Sequence, residues 1–205
     1  MSFEDYRRMY DGIHGMQGQA ASGPNPLNGF QAKMDLWVEA GYRPGQTILD
    51  YGCGAGLALN WISDPSTYLG VDMSPNALRL VQESFPAARV QTLAYPGTLN
   101  VGEFDFVAAS SVFTHTPHEF VPACLRDIHR ALRGVGIIDV IFGEDDPNNG
   151  FVRQFSPTTW KESLDAADLK GEYLEQVAWA GDDTTYTHDY FRVSRVRRIG
   201  VVGKT

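Results

Sequence analysis

Glycines at positions 52, 54 and 56 stand directly behind the apolar run of residues 47–50 in "TILDYGCGAGL", and no other feature constrains this chain as much. An apolar run ending in closely spaced glycines is a strand that turns sharply, with its backbone left bare for the close approach of a ligand or a second segment. The dinucleotide-binding form of such a turn is Gly-x-Gly-x-x-Gly, with a pyrophosphate resting on the helix N-terminus. Leu57 stands where that pattern needs its third glycine, so the turn here is Gly-x-Gly-x-Gly.

The flanking pattern alternates strand with helix. Residues 1–28 predict a short helix carrying Tyr6 and Tyr10, followed by the Gly/Pro/Asn-rich loop "GQAASGPNPLNG". Met34, Trp37 and Val38 fall at helical spacing over 30–40, and Gly41 is a stop. Past the glycines, Leu57 pairs with Trp61 and Ala58 with Ile62, which predicts a helix ended by Pro65. Residues 68–72 predict a second strand, and Ser74-Pro75 a helix start with serine as cap and a face of Leu78, Val81 and Phe85. Strands follow at 89–93 and 104–109, then a helix through Val121, Leu125, Ile128 and Leu132 to Gly134, then an apolar fifth strand at 137–142. After the turn-rich "GEDDPNNG", Trp160 and Leu164 mark a short helix. The runs at 173–179 and 190–196 lack a crossover between them, so they predict an antiparallel hairpin. The expected architecture is a doubly wound α/β fold: seven strands, mostly parallel, closed by a C-terminal antiparallel hairpin.

With 205 residues, 43% of them hydrophobic and 20% charged, the chain is expected to fold as a single domain. Within it, residues 1–40 form an N-terminal helical cap segment, 47–142 a ligand-binding core, and 143–205 a loop, a helix and the closing hairpin. A formal charge of -8 opposes attraction to phosphate backbones, so no nucleic-acid partner is expected. Arg192, Arg195, Arg197 and Arg198 form the one basic concentration and read as a solvated strand edge. Cys53 and Cys124 fit no metal or disulfide spacing, which suggests a reducing compartment. The polar N-terminus and the lack of a run of ~20 apolar residues predict a cytoplasmic protein without membrane contact.

The glycine turn, with Asp50 two residues before it, resembles the first motif of the class I S-adenosylmethionine-dependent methyltransferases. So does "YLGVDMS", in which Asp72 closes the second strand 20 residues after Gly52; "FDFVAASSVFTH" and "CLRDIHRALRGVGIIDVIF" are similar to later motifs of that family. The resemblance spans roughly residues 47–142 and implies a Rossmann-like transferase that binds S-adenosylmethionine and releases S-adenosylhomocysteine. It assigns the cofactor to Asp50, Gly52, Cys53, Gly54, Gly56, Asp72, Met73, Leu93, Ala94 and Ser110. Asp72 takes both ribose hydroxyls, through charge-assisted hydrogen bonds. Two departures stand out: no acidic residue follows the third strand, in "QTLAYPG", and Gly134-Val135-Gly136 replaces Pro-Gly-Gly in a turn before the fifth strand.

On the acceptor side, His115 lies just beyond the fourth strand, where ligands of such sheets bind, and is the candidate catalytic base or else a positioning residue. Tyr10, His115, Phe151 and Phe155 are the candidate substrate contacts, with Tyr6 and Trp160 nearby; these rings serve equally well as core. His118 reads as a surface residue near a helix start. His14, His129 and His188 read as solvated, with His14 and His188 also candidates for the pocket edge. Ala109-Ser110-Ser111 lacks the Asp/Asn-Pro-Pro-aromatic stretch of nucleic-acid amino methylation, and no proline-cysteine nucleophile pair is present. Asp145 and Asp146 read as a solvated acidic loop, so no metal is expected. Methyl transfer to an oxygen or nitrogen of a small molecule follows, with oxygen preferred because of His115. The rival readings are a protein side-chain methyltransferase, a non-catalytic cofactor-binding partner subunit and, disfavoured by the glycine spacing, a nicotinamide-dependent oxidoreductase.

Overall fold

The computed structural model describes residues 2–17, 26–144, 152–180 and 185–196. Seven strands form one sheet in the order β3-β2-β1-β4-β5-β7-β6. They are β1 (Ile48–Tyr51), β2 (Tyr68–Asp72), β3 (Arg89–Thr92), β4 (Phe104–Ala109), β5 (Leu132–Val140), β6 (Leu169–Ala180) and β7 (Thr185–Arg195). The first five run parallel, and β7 enters antiparallel between β5 and β6. The helices are α1 (Phe3–Gln17), α2 (Pro26–Ala40), α3 (Pro75–Ser84), α4 (Val121–Ala131) and α5 (Pro157–Ala166).

Side-chain alternation along the strands divides the core into two faces. Ile48, Tyr68, Phe106, Ala108, Ile137 and Tyr190 point to the side covered by Met34, Trp37 and Ala40 of α2 and by Leu78 and Val81 of α3. Leu49, Tyr51, Val107 and Ile138 point to the other side, under Leu125 and Ile128 of α4 and Trp160 and Leu164 of α5. Every residue of β1 and β2 is buried, as expected of parallel strands covered on both faces. A third, smaller cluster joins Phe3 and Tyr6 of α1 to Phe120, with Tyr10 and Met73 against it. It holds α1 down through one helical face.

Three sequence expectations are corrected. The predicted helix behind the glycines is only a 3-10 turn, Leu57–Asn60, in which the consecutive residues Leu57, Ala58 and Leu59 are all buried. An α-helix would turn one of three neighbours outward. The proline at 65 also disfavours helical backbone before it, and Asp64 instead caps the next short turn by accepting from the Ser66 N–H. Further along, Gly134 and Gly136 lie inside β5 rather than in a turn, because α4 ends at Ala131 and the strand begins at Leu132. A Cβ at either position would come within 2.4 Å of a β4 carbonyl, that of Asp105 or Val107, so glycine lets β5 lie close against β4. Finally, Arg192 and Arg195 do not lie on a solvated strand edge, since β7 is internal; Arg195 donates to the carbonyls of His129 and Arg130 and to Glu103. Arg197 and Arg198 lie outside the described residues.

Candidate functional site

The C-terminal ends of β1, β2 and β4 meet at the glycine turn. Gly52, Gly54 and Gly56 adopt φ of 75°, 53° and 73°, a left-handed region that side chains disfavour. Two of them also serve packing, because a Cβ on Gly52 would lie 2.5 Å from Val112 Cγ2 and one on Gly56 would lie 2.9 Å from Val81 Cγ2. Gly54 ties the turn to β2: its N–H donates to Asp72 Oδ2 at 2.9 Å, while the Ser74 N–H donates to Oδ1 at 2.8 Å. Both carboxylate oxygens of Asp72 are thus tied to backbone N–H groups, which fixes the carboxylate against the turn. Ser74 caps α3 as expected, accepting from the Ala77 N–H, and donates to Asp11 of α1 at 2.9 Å.

The other residues named as cofactor contacts lie in varied surroundings. Leu93 is buried and its N–H donates to the Asp72 carbonyl, whereas Ala94 is exposed. Met73 is half-buried under α1. Ser110, at the end of β4, accepts from the Trp37 indole N–H at 3.5 Å. The Cys53 thiol donates to the Gly54 carbonyl within the turn at 3.5 Å and packs over Gly70, and burial pushes it well above its usual range.

Asp50 lies beneath the turn and accepts from the Tyr68 hydroxyl at 2.8 Å. Burial pushes its carboxyl up to about 7, reinforced by Asp72 and opposed by Tyr68 and Lys33. Because the folded-state value lies above that of the unfolded chain, the native protein holds the extra proton, and Asp50 costs increasing stability as pH rises from about 4 to about 7. The urea midpoint of Asp50→Asn, taken relative to wild type, is therefore expected to rise between pH 4 and pH 8. A constant difference would refute the buried carboxyl as its cause.

Beyond β4 the chain forms a tight turn in which the His115 and Thr116 N–H groups both donate to the Val112 carbonyl. His115 is half-buried; its carbonyl accepts from the Tyr6 hydroxyl at 2.9 Å, and its ring lies 6.0 Å from that of Tyr10. The structure thus brings His115 beside Tyr10 of α1. Phe155 sits instead in the core, 5.5 Å from the Trp160 ring and stacked at 4.5 Å on His118. His118 is no plain surface residue, since its Nε2 lies 3.0 Å from the Gln154 carbonyl. Phe151, Asp145, Asp146 and the His14 side chain lie outside the described residues. Among the described residues no group of three or more His, Cys, Asp or Glu is placed to hold a metal, and no helix is long and apolar enough to cross a membrane.

A polar cluster that sequence reasoning missed gathers around Ser111, just past the end of β4. Asp139 of β5 is fully buried; its Oδ1 accepts from the Ser111 N–H at 2.6 Å and its Oδ2 lies 2.5 Å from His188 Nδ1 on β7. Lys33 of α2 donates to Ser111 Oγ at 2.8 Å. Burial would raise the Asp139 carboxyl, but the bond to His188 and the charges of His188 and Lys33 hold it below its usual range. Burial lowers the Lys33 ammonium, against the pull of Asp139 and Asp50. His188, read as solvated from the sequence, is 8% exposed. One signal was available: an aspartate inside "GIIDVIF" must be buried with a strand, and a buried charge requires partners.

Sheet order, a reversed β7 and a Gly-x-Gly-x-Gly turn bonded to the aspartate that ends β2 give the chain the Rossmann-like fold of S-adenosylmethionine-dependent methyltransferases. Residues 49–139 match the family model described as a methyltransferase domain. The ribosomal protein L11 methyltransferase of Paraburkholderia xenovorans is 37% identical over 79 residues, covering 36% of this chain and 26% of that protein. The chain thus spans about a quarter of the length of the curated relatives it matches. Among solved structures, magnesium protoporphyrin IX methyltransferase from Synechocystis PCC 6803 with bound S-adenosylhomocysteine superposes with a TM-score of 0.70 at 16% identity, covering 95% of this chain and 100% of that one. A methyltransferase from Methanosarcina mazei gives 0.64 at 15% identity, covering 78% and 97%. At these identities the likeness is one of fold.

Proposed function

We propose that this chain transfers the methyl group of S-adenosylmethionine to an oxygen or nitrogen of a small-molecule acceptor. The observation that carries the reading is the Gly54 N–H to Asp72 bond, which joins the glycine turn and a carboxylate suited to a ribose diol in one cradle. When bound, the cofactor supplies an already activated sulfonium methyl. The chain's own task is alignment and, where the acceptor is protic, removal of a proton. Gly52, Gly54 and Gly56 admit the methionine end, Asp72 the ribose, and Leu93 and Ala94 border the adenine. Tyr10 of α1 and His115, whose rings lie 6.0 Å apart, contact the acceptor in this reading.

A second reading, methylation of a protein side chain, is supported by the name of the curated relatives. Their matched segment spans only 36% of this chain, so they support it weakly. Calorimetric titration with S-adenosylmethionine, S-adenosylhomocysteine and reduced nicotinamide dinucleotide tests the cofactor: micromolar binding of the first two and none of the third is expected. Silence toward both adenosyl ligands in folded protein would overturn the reading. Release of S-adenosylhomocysteine over a panel of phenols, carboxylic acids and amines, set beside ribosomal protein L11, separates the two acceptor classes. His115→Ala should then lower turnover while sparing cofactor affinity.

A further inference from the structure

We propose that Asp11 of α1 is a positioning residue for the cofactor, which sets the Asp72 carboxylate through Ser74. The inference rests on the methyl-transfer reading above and deepens it, since it extends the ribose seat to the N-terminal helix. The Ser74 hydroxyl donates to Asp11 Oδ1 at 2.9 Å, and the Ser74 N–H donates to Asp72 Oδ1 at 2.8 Å. Asp72 Oδ2 accepts from the Gly54 N–H, so one chain of hydrogen bonds runs from α1 to the glycine turn.

The first turn of α3 depends on the same residue for its backbone. Pro75 has no N–H, the Ala77 N–H is taken by the Ser74 hydroxyl oxygen, and the Leu78 N–H by the Ser74 carbonyl. That leaves the Asn76 N–H, which donates to Asp11 Oδ1 at 3.0 Å. The Asn76 side-chain amide adds a bond to the Asp11 carbonyl at 3.2 Å. Ser74 is fully buried and has a single hydroxyl proton. Because that proton goes to Asp11, the oxygen lone pairs stay turned to the Ala77 N–H, and the residue that bonds Asp72 is held in one rotamer.

α1 spans the strand ends around the glycine turn. Its rings meet Met73 after β2, Tyr95 after β3, and His115 and Phe120 beyond β4. Burial raises the Tyr6 and Tyr10 hydroxyls above their usual range and the charge of Asp72 adds to the rise, so both rings lie near that carboxylate. The apolar contacts of α1 form the small third cluster, separate from the two faces of the sheet. Loss of Asp11 therefore loosens the loop after β2 without opening the main core.

The test needs no identified acceptor. Calorimetry compares S-adenosylhomocysteine with its 2′-deoxy form, which lacks one of the ribose hydroxyls assigned to Asp72. Asp11→Ala is expected to weaken the first by about tenfold or more and the second by about threefold or less, because a loosened carboxylate loses most where it holds most. Asp11→Asn, whose amide oxygen still accepts from Ser74 and Asn76, should stay close to wild type with both ligands. Ser74→Ala deletes the hydroxyl while keeping the N–H on Asp72, and should show the same selective loss even if Asp11→Ala does not fold. Losses that are equal for the two ligands, or no loss at all, would overturn the proposal, since a helix that merely packs affects both alike. Failure of the underlying reading shows in wild-type protein: binding of neither ligand removes the cofactor assignment, equal binding of both removes the ribose assignment, and the proposal falls with either.

Discussion

Asp72→Ala is expected to weaken binding of both S-adenosylmethionine and S-adenosylhomocysteine by at least about a hundredfold. Two hydrogen bonds from ribose hydroxyls to a charged acceptor contribute roughly 1.5–3 kcal/mol each, and both vanish together. The substitution also leaves the Gly54 and Ser74 N–H groups without the carboxylate that now joins them, which loosens the turn itself. Asp72→Asn separates the two effects, because its side-chain oxygen can still accept from one backbone N–H while the charge is gone. Calorimetry on both variants is the check. Undiminished affinity in Asp72→Ala would remove the ribose assignment.

The largest loss of stability is expected from Asp127→Ala. This α4 residue is 1% exposed, yet its carboxylate accepts from the Tyr51 hydroxyl at 3.1 Å, the Gly97 N–H at 2.7 Å and the Leu99 N–H at 3.0 Å, and it pairs with Arg130. Removing it orphans several buried donors, a cost of about 3–5 kcal/mol. The partner at Arg130 is half-exposed, and Arg130→Ala should cost about 1 kcal/mol or less. Urea unfolding of the two variants tests the contrast, and equal losses would refute the buried-anchor account. The loop that Asp127 holds, residues 95–99, follows Leu93 and Ala94, so cofactor affinity should fall in the same variant.

What was legible in the sequence was local. Ser74-Pro75 announced a capped helix start because serine and proline favour those two positions through their own hydrogen bonding and ring geometry. The strands expected at 68–72 and 104–109 have the same observed bounds. The last two runs paired as an antiparallel hairpin because the connection between them is too short for a crossover. The errors arose where neighbouring elements override local preference. Leu57, Trp61, Ala58 and Ile62 have helical spacing, but the core demands three consecutive buried side chains there. Gly134 and Gly136 have turn composition, but they stand where β4 carbonyls leave no space for a Cβ.

The same division holds for the site. The sequence by itself determined the glycine turn and Asp72, because turn, strand end and carboxylate lie within one strand–turn–strand stretch and their meeting follows from chain connectivity. Only the tertiary structure decided that Asp139 and His188, 49 positions apart, share a hydrogen bond, and that Lys33 and Ser111, 78 apart, share another. Insertion of β7 between β5 and β6 brings the first pair together, and the docking of α2 across the sheet brings the second. Neither contact has a spacing that a linear pattern could reveal, because each is set by which strand lies next to which.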